Sequence, residues 1–121
     1  MENCIFCKIA KKEIPAHIVY EDGQFIAFLD INPQSPGHLQ VIPAEHARWV
    51  LDVENYGEYL ALVQRLAKAL QNTFGTESVW GKIVGDEVHH AHVWLFPNPF
   101  EAKGDKKDFK GNAEKIKTHL Q

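Results

Sequence analysis

The sequence predicts an α+β fold: an antiparallel sheet of about five strands with one long helix on a face, and a short helix. Short β-prone runs bounded by Gly, Pro and Asp lie on both sides of a central stretch with helical spacing. That stretch has apolar residues at Tyr56, Tyr59, Leu60, Val63, Leu66, Ala67, Leu70 and Phe74. The length of 121 residues fits one domain, residues 1–121, with one core.

The first half of the chain is predicted to hold three strands. Pro15 ends a short N-terminal element, and Asp22-Gly23 is a pair typical of hairpin turns. Two prolines and a glycine indicate a loop before the third strand, and Pro43 ends that strand. The predicted elements are a short element at 4–12, strands at 17–21 and 25–30, a loop at 32–37, a strand at 38–42 and a short helix at 45–50.

The second half begins with the long helix, whose apolar stripe is typical of a helix that faces a core. Gly75 stands where a C-cap glycine belongs, so this helix is predicted over residues 56–74. Polar, lysine-rich sequence without periodicity indicates a loop near the C-terminus. The remaining predicted elements are strands at 79–84 and 88–96, a loop at 101–110 and a helix at 112–120.

Composition is ordinary for a globular protein, with 45% hydrophobic and 24% charged residues. A formal net charge of −3 gives no electrostatic basis for binding polymeric nucleic acid. No apolar run reaches membrane-spanning length, and the polar N-terminus is unlike a signal peptide. Two cysteines are too few for a disulfide scaffold, so we expect a reducing, cytoplasmic setting and no membrane partner.

The most informative segment is the predicted strand that runs from Val88 to Pro97. Side chains alternate between the two faces of a strand. One face is therefore predicted to hold His90, His92, Trp94 and Phe96, and the other His89, Ala91, Val93 and Leu95. Two imidazoles side by side indicate phosphoryl or proton-transfer chemistry, or a metal. The alternative is a strand with scattered surface histidines.

A second feature is the pair Cys4 and Cys7, whose C-x-x-C spacing can place two thiolates on one tetrahedral metal. The pair supplies only two ligands, and any of the seven histidines could supply the others. Free buried thiols are one alternative. A redox pair is another, although a thioredoxin-like strand has no room before residue 4.

The segment from Pro36 to His46 places one histidine at the start of a strand and another after the proline that ends it. At this point the chain resembles the histidine-triad (HIT) family, specifically its Hint branch. The resemblance covers most of residues 4–97 in order and leaves out only the C-terminal segment. The matching segments are Cys4 to Ile9, Glu13 to Ala16, Tyr20 to Asp22, Ala27 to Ile31, Pro36 to His46 and Gly85 to Pro97.

The resemblance implies cleavage at the α-phosphorus of a nucleotide, such as a nucleoside phosphoramidate, an adenylylated amine or, in other branches, a dinucleoside polyphosphate. His90 and His92 match the first two positions of the family motif His-x-His-x-His. His92 then corresponds to the nucleophile, which would form a covalent phosphohistidine. The backbone carbonyl of His90 would hold the His92 ring, and His38 matches the family's histidine on the neighbouring strand.

The resemblance also implies a nucleotide pocket for a purine mononucleotide or a nucleotide conjugate. Asp30 matches the carboxylate that accepts hydrogen bonds from the ribose hydroxyls; a turn-capping carboxylate is the alternative. The residues that match the apolar walls around the base are Ile5, Phe6, Ile9, Phe28 and Ile31. For these residues the alternative is simple core packing.

A metal site and an assembly follow from the same resemblance. Family members with this cysteine pair hold zinc with residues that correspond to Cys4, Cys7, His46 and His90. Two thiolates and two imidazoles form a closed tetrahedral set, which indicates a structural site. Hint-branch proteins pair their long helices and edge strands, so a homodimer is expected, with apolar area from the long helix, Trp80 and Trp94.

The chain departs from the family pattern around the phosphate. Trp94 takes the third motif position, and an indole has one N–H donor, no acceptor nitrogen and no titration near neutral pH. The family's Asn-x-Gly loop is replaced by residues 82–87, where Asp86 and Glu87 would repel an anionic phosphate. Asn98 replaces a common arginine. Two hypotheses remain: a hydrolase or transferase that uses His92, and a nucleotide-binding or interaction protein with little or no catalysis.

Overall fold

The computed structural model describes residues 3–120 and confirms an α+β fold with a five-stranded antiparallel sheet. The strands lie in the order β1-β2-β3-β5-β4. Their bounds are β1 Ile18–Glu21, β2 Phe25–Leu29, β3 Leu39–Pro43, β4 Val79–Val84 and β5 His92–Pro97. The helices are α1 Ile5–Ala10, α2 Tyr56–Phe74 and α3 Phe109–Leu120, with a 3-10 turn at Val50–Asp52. None of the described helices has the length and apolar character to cross a membrane.

Helix α2 covers one face of the sheet, as its apolar stripe predicts. Tyr59, Leu66 and Leu70 are fully buried against the strands. The Tyr59 ring stacks on Phe25 at a centroid distance of 5.0 Å, and its hydroxyl donates to the Val41 carbonyl. The helix ends at the predicted glycine, because Gly75 adopts a left-handed φ of 65° and its N–H donates to the Gln71 carbonyl.

The short helix α1 packs on the opposite face of the sheet. Cys4 begins it, since the thiol accepts a hydrogen bond from the Cys7 N–H at 3.3 Å. Its apolar side chains Phe6 and Ile9 are buried against one face of β2 and β3, where they form a cluster with Ile26, Phe28 and Ile42. The sheet therefore has two covered faces, and the face beneath α1 carries the site described below.

Two predicted elements are wrong, and both errors involve the same pair of segments. Residues 45–49 are not helical, and only the 3-10 turn follows them. The strand predicted at 88–96 begins only at His92. The Ala91 N–H donates to the Ala47 carbonyl at 2.6 Å, and the Arg48 guanidinium donates to the Gly85 carbonyl. Residues 45–49 therefore hydrogen-bond with the segment between β4 and β5 rather than within a helix.

Smaller differences lie at the ends of elements. Asp30 and His38 lie just outside the strands predicted to contain them, although the Asp30 N–H still donates to the His38 carbonyl at 2.9 Å. Residue 17 also precedes its strand. Helix α3 begins at Phe109, three residues before the predicted start and inside the predicted 101–110 loop.

Candidate functional site

The strand register places the predicted functional residues of β5 on the sheet face beneath α1. On β5, Trp94 lies directly between Gln40 of β3 and Lys82 of β4. His92 lies two residues earlier on the same face and is paired with Val84. The Phe6 ring of α1 meets the His92 ring edge to face at 5.2 Å. His92 is 4% exposed, so packing fixes its position.

The His92 ring is oriented by the backbone two residues before it. Its Nδ1 lies 2.7 Å from the carbonyl oxygen of His90. A carbonyl can only accept, so Nδ1 carries the proton and donates. The proton on Nδ1 leaves the lone pair of Nε2 free, which is the state a nucleophilic imidazole requires.

His90 precedes β5 and so is not a strand residue, contrary to the prediction, but its ring packs against Phe6 of α1 at a centroid distance of 6.0 Å, on the same side of the sheet as His92. Its fully buried ring also faces the two cysteines at the start of the chain's first helix. His90 Nδ1 lies 3.2 Å from Cys4 Sγ and 3.4 Å from Cys7 Sγ. His90 Nε2 donates to the Pro43 carbonyl at 2.8 Å, which leaves Nδ1 as the unprotonated nitrogen facing the sulfurs.

The four predicted metal ligands meet at one point. Cys7 Sγ also lies 3.3 Å from His46 Nδ1, and all four ligand atoms of Cys4, Cys7, His46 and His90 lie within 4.8 Å of one another. Ligands of a tetrahedral ion with bonds of about 2.3 Å to sulfur and about 2.1 Å to nitrogen lie about 3.6 Å apart. The three sulfur-to-nitrogen distances of 3.2, 3.3 and 3.4 Å are close to that value, so the four residues fit a tetrahedral ion after small adjustments.

In this cluster, the pKa shifts of the histidines favour metal binding, whereas the pKa shift of Cys7 does not. Burial lowers the pKa of His90 and of His46, which favours the neutral imidazole that binds metals. Burial raises the pKa of the Cys7 thiol, and its hydrogen bond with Cys4 adds to the shift. A bound cation would reverse that thiol shift, because a metal displaces the thiol proton.

A carboxylate and an amide lie at the other end of the same face. Asp30 Oδ2 accepts a hydrogen bond from Gln40 Nε2 at 2.8 Å, and Asp30 Oδ1 accepts one from the Asn32 N–H at 2.8 Å. The Asp30 side chain is 14% exposed, so it keeps some accepting capacity toward solvent. Asp30 therefore caps the local turn, as the alternative prediction states, and retains a small accessible surface.

His38 connects this carboxylate to Trp94. The Gln34 N–H donates to His38 Nδ1 at 3.0 Å, so the ring proton lies on Nε2, which is 3.6 Å from Asp30 Oδ2. Burial lowers the pKa of His38 to about 4, against the opposing charge of Asp30. His38 is therefore neutral at pH 7. Its ring lies 5.1 Å from the Trp94 ring.

Trp94 lies on the same face as His92, as predicted, and has two polar neighbours that the sequence analysis overlooked. Its buried Nε1 has no hydrogen-bond partner among residues 3–120, and neither has Gln40 Oε1. Lys82 places its Nζ 5.5 Å from the Trp94 ring centroid. Alternation alone assigns Gln40 to the face of His38, and a polar residue in an otherwise apolar strand could have identified it.

The predicted base-pocket residues divide into two groups. Phe6, Ile9 and Phe28 are buried in the cluster beneath α1, with the Phe6 and Phe28 rings 5.6 Å apart. Core packing explains these three without a ligand. Ile5 and Ile31 are 47% and 71% exposed, so their apolar surface is available to a bound molecule.

The residues that depart from the family pattern lie at distinct positions in the structure. Asp86 and Glu87 are exposed between β4 and β5, and Glu87 lines a cleft shared with Cys4 and His46. Asn98 has a local role, because its Nδ2 donates to Ser78 Oγ at 3.1 Å and its Oδ1 accepts from the Phe100 N–H. The side chain that replaces the family's arginine is thus committed to the turn after β5.

Comparison with known sequences agrees with this arrangement. The HIT domain model matches residues 11–100. Protein HitA of Neisseria gonorrhoeae is 43% identical over 106 residues, covering 82% of this chain and 99% of HitA. The adenosine 5'-monophosphoramidase hnt1 of Schizosaccharomyces pombe is 39% identical over 105 residues, covering 84% of this chain and 79% of that relative.

Solved structures share the fold over nearly the whole chain. A Hit-like protein from Bartonella henselae has a TM-score of 0.87 and 32% identity, covering 98% of both chains. A Zn-bound histidine triad family protein from Mycobacterium smegmatis has a TM-score of 0.81 and 27% identity, covering 98% of this chain and 94% of that one. The domain match, the sequence relatives and the shared fold show that this chain belongs to the histidine-triad (HIT) family.

Proposed function

We propose that this protein is a nucleotide hydrolase or transferase that acts at the α-phosphorus of a nucleotide through a phosphohistidine at His92. The observation that carries the proposal is the 2.7 Å hydrogen bond from His92 Nδ1 to the His90 carbonyl. It holds the ring in one tautomer and frees Nε2 for attack. The name of the fission-yeast relative, an adenosine 5'-monophosphoramidase, supports the same reaction class.

The chemistry takes two displacements at phosphorus. His92 Nε2 forms a bond to phosphorus as the bond from phosphorus to the leaving amine or oxygen breaks. The leaving group departs with a proton from solvent, because the Trp94 indole does not titrate near neutral pH and cannot act as a general acid. Water then attacks the phosphohistidine, which releases the mononucleotide and restores the imidazole. A different acceptor in place of water would make the reaction a transfer.

The nucleoside is bound on the sheet face that α1 covers, at the end that carries Asp30. We assign Asp30 to the ribose hydroxyls, because one of its oxygens is already oriented by Gln40 and the side chain is still 14% exposed. Ile5 and Ile31 offer exposed apolar surface to a purine base, and the buried residues that support this wall are Phe6, Ile9 and Phe28. A purine mononucleotide or a nucleotide conjugate is the proposed ligand.

We assign the cysteine and histidine cluster to a structural zinc ion. Cys4, Cys7, His46 and His90 form a closed set of four soft and borderline ligands, which favours zinc and leaves no position for a substrate. A bound ion would supply a fixed anchor for α1 and for the segment before β5. The Pro43 carbonyl would orient the His90 ligand through Nε2.

A second candidate is a nucleotide-binding protein with little catalysis, and Trp94 favours it. The indole takes the place of the third histidine of the motif, and it cannot protonate a leaving group near neutral pH. Losing a general acid costs about 10²–10⁴ in rate. Nucleotide binding through Asp30 and the apolar wall would persist without turnover.

The test is incubation with adenosine phosphoramidate, followed by mass spectrometry for AMP and for a covalent adduct. We expect AMP release and an adduct on His92, both absent in His92→Ala. His89→Ala is the matched control, because His89 is an exposed histidine of the same segment. Binding of AMP without any AMP release would select the second candidate. Turnover that survives His92→Ala would refute the phosphohistidine.

We also propose a homodimer. Of the eight predicted stripe residues of α2, Tyr59, Leu66 and Leu70 are buried, four are half-buried and Leu60 is exposed, so the stripe contributes less free surface than expected. The remaining exposed apolar residues include Trp80 and Ile83 on the edge strand β4, at 41% and 57%, and Leu60 on α2, at 37%. An uncovered apolar edge strand is prone to pair with a second copy. Light scattering at micromolar concentration should give twice the chain mass, and a monomer would contradict this.

A further inference from the structure

A lysine occupies the strand next to the missing third histidine. Lys82 pairs directly with Trp94 across β4 and β5, so both side chains leave the sheet on the face that carries His92. Lys82 is also a diagonal neighbour of His92, which is paired with Val84. Diagonal neighbours of an antiparallel pair lie about 7–8 Å apart, within reach of a lysine side chain.

The lysine ammonium is free to bind an anion. Lys82 is exposed and forms no ion pair among residues 3–120. Its Nζ lies 5.5 Å from the Trp94 ring centroid, in the range of a cation–π contact that orients the charge over the indole. Burial dominates the lowered pKa of His38, and the charge of Lys82 adds to that lowering, which indicates that the field of the ammonium reaches the site.

Trp94 supplies a second donor on the neighbouring strand. Its Nε1 is buried and has no partner within the described part of the chain. A buried indole N–H without a partner costs free energy, so a ligand oxygen that accepts from it would be stabilised. An ammonium and an N–H donor on neighbouring strands are the groups that a phosphoryl oxygen prefers.

We propose that Lys82 and Trp94 together form the anion subsite for the phosphoryl group attacked by His92. This subsite would take the place of the third histidine and the phosphate-contacting loop that the chain lacks. It would also offset the carboxylates of Asp86 and Glu87. The inference deepens the proposed function and rests on it for the identity of the ligand.

The test is isothermal titration of AMP and of adenosine into the native protein and four variants. Lys82→Met removes the charge, Lys82→Arg keeps it, and Trp94→Phe removes the N–H while keeping an aromatic ring. Lys68→Met is the control, since Lys68 is an exposed lysine on α2, which covers the other face of the sheet. Thermal melts establish that each variant is folded.

We expect Lys82→Met to weaken AMP binding roughly 10-fold, the size of one charge-assisted hydrogen bond, and to leave adenosine binding unchanged. Lys82→Arg should stay within about 3-fold of the native protein, as should Lys68→Met. Trp94→Phe should weaken AMP roughly 5-fold. The Lys82→Met loss should shrink as salt is raised.

Three outcomes would overturn the inference: unchanged AMP binding in Lys82→Met, equal losses for AMP and adenosine, or no AMP binding by the native protein. The proposed function fails separately. If the native protein releases no AMP from adenosine phosphoramidate, but Lys82→Met selectively weakens AMP binding, the anion subsite stands and the proposed enzymatic function fails. If the native protein is active and Lys82→Met binds AMP as the native protein does, the enzymatic function stands and the anion subsite fails.

Discussion

The His90 carbonyl oxygen accepts the hydrogen bond of His92 Nδ1 at 2.7 Å, while the ring of the same His90 lies 3.2 Å from Cys4 Sγ. One residue thus joins the cysteine cluster to the proposed nucleophile. Whatever holds the His90 ring also positions the carbonyl that orients His92. The cluster is therefore expected to influence chemistry as well as stability.

Metal removal should change both properties together. We expect about one zinc per chain in protein purified without chelator, and loss of that zinc in Cys4→Ser should lower both Tm and turnover. Breaking a four-ligand site costs stability because ordering of α1 and the segment before β5 depends on it. Metal analysis measures the zinc content, calorimetry measures Tm, and AMP release measures turnover.

Chelator is the control for that experiment, because it should lower Tm in the native protein and leave Cys4→Ser unchanged. A native protein with far less than one zinc per chain, together with an unaltered Tm in Cys4→Ser, would show that the cluster holds no structural metal.

Restoring the third histidine should raise activity. Trp94→His replaces an indole by a group that titrates near neutral pH, and we expect kcat/KM for adenosine phosphoramidate to rise roughly 10-fold or more. Steady-state kinetics measure the change. Trp80→His is the matched control, since it places a histidine on β4 opposite Phe96 rather than at Trp94. An unchanged rate in Trp94→His would mean that the loop carboxylates limit catalysis more than the absent acid does.

Removing the Asp30 charge should weaken recognition of the ribose. Asp30→Asn is expected to reduce adenosine affinity roughly 10-fold, because an amide replaces an acceptor-only carboxylate. Affinity for 2',3'-dideoxyadenosine should be low in both proteins and nearly equal. Titration calorimetry gives both values, with Asp86→Asn as the exposed-loop control. Equal losses for the two nucleosides would argue that Asp30 serves the fold and not the ligand.

Acidification should destabilise the protein partly through His38. Its pKa in the folded protein is about 4, below the ordinary value of 6.5, mainly because of burial and despite Asp30. As pH falls from about 7 toward 4, the unfolded chain gains a proton at His38 that the folded chain does not. The difference in pKa corresponds to a stability loss on the order of 3 kcal/mol.

Urea unfolding between pH 7 and pH 4 measures this effect. His38→Gln should lose less stability over that range than the native protein, whereas His119→Gln, at an exposed position of α3, should follow the native curve. Parallel curves for His38→Gln and the native protein would show that His38 is not kept neutral by the fold.

Local sequence pattern predicted the elements whose bounds do not depend on contacts with distant residues. The bounds of α2 follow from its own periodicity and from Gly75, whose left-handed φ of 65° ends the helix. The segments at 45–49 and 88–91 were predicted wrongly because distant partners hold them: Ala91 donates to Ala47, and Arg48 donates to Gly85 after β4. Such bonds join residues far apart in the chain, and no window of local sequence contains both partners.

The sequence by itself determined the α+β class, the paired cysteines, the histidines of the motif and the family they indicate. The tertiary structure decided which polar groups meet. Strand register places Gln40 and Lys82 on either side of Trp94, and it brings the Gln40 amide to Asp30. Register is set by the packing of α1 and α2 on opposite faces of the sheet, because a shift of one residue would exchange the two faces. That interaction is non-local, so the site's polar neighbours appear only in the folded chain.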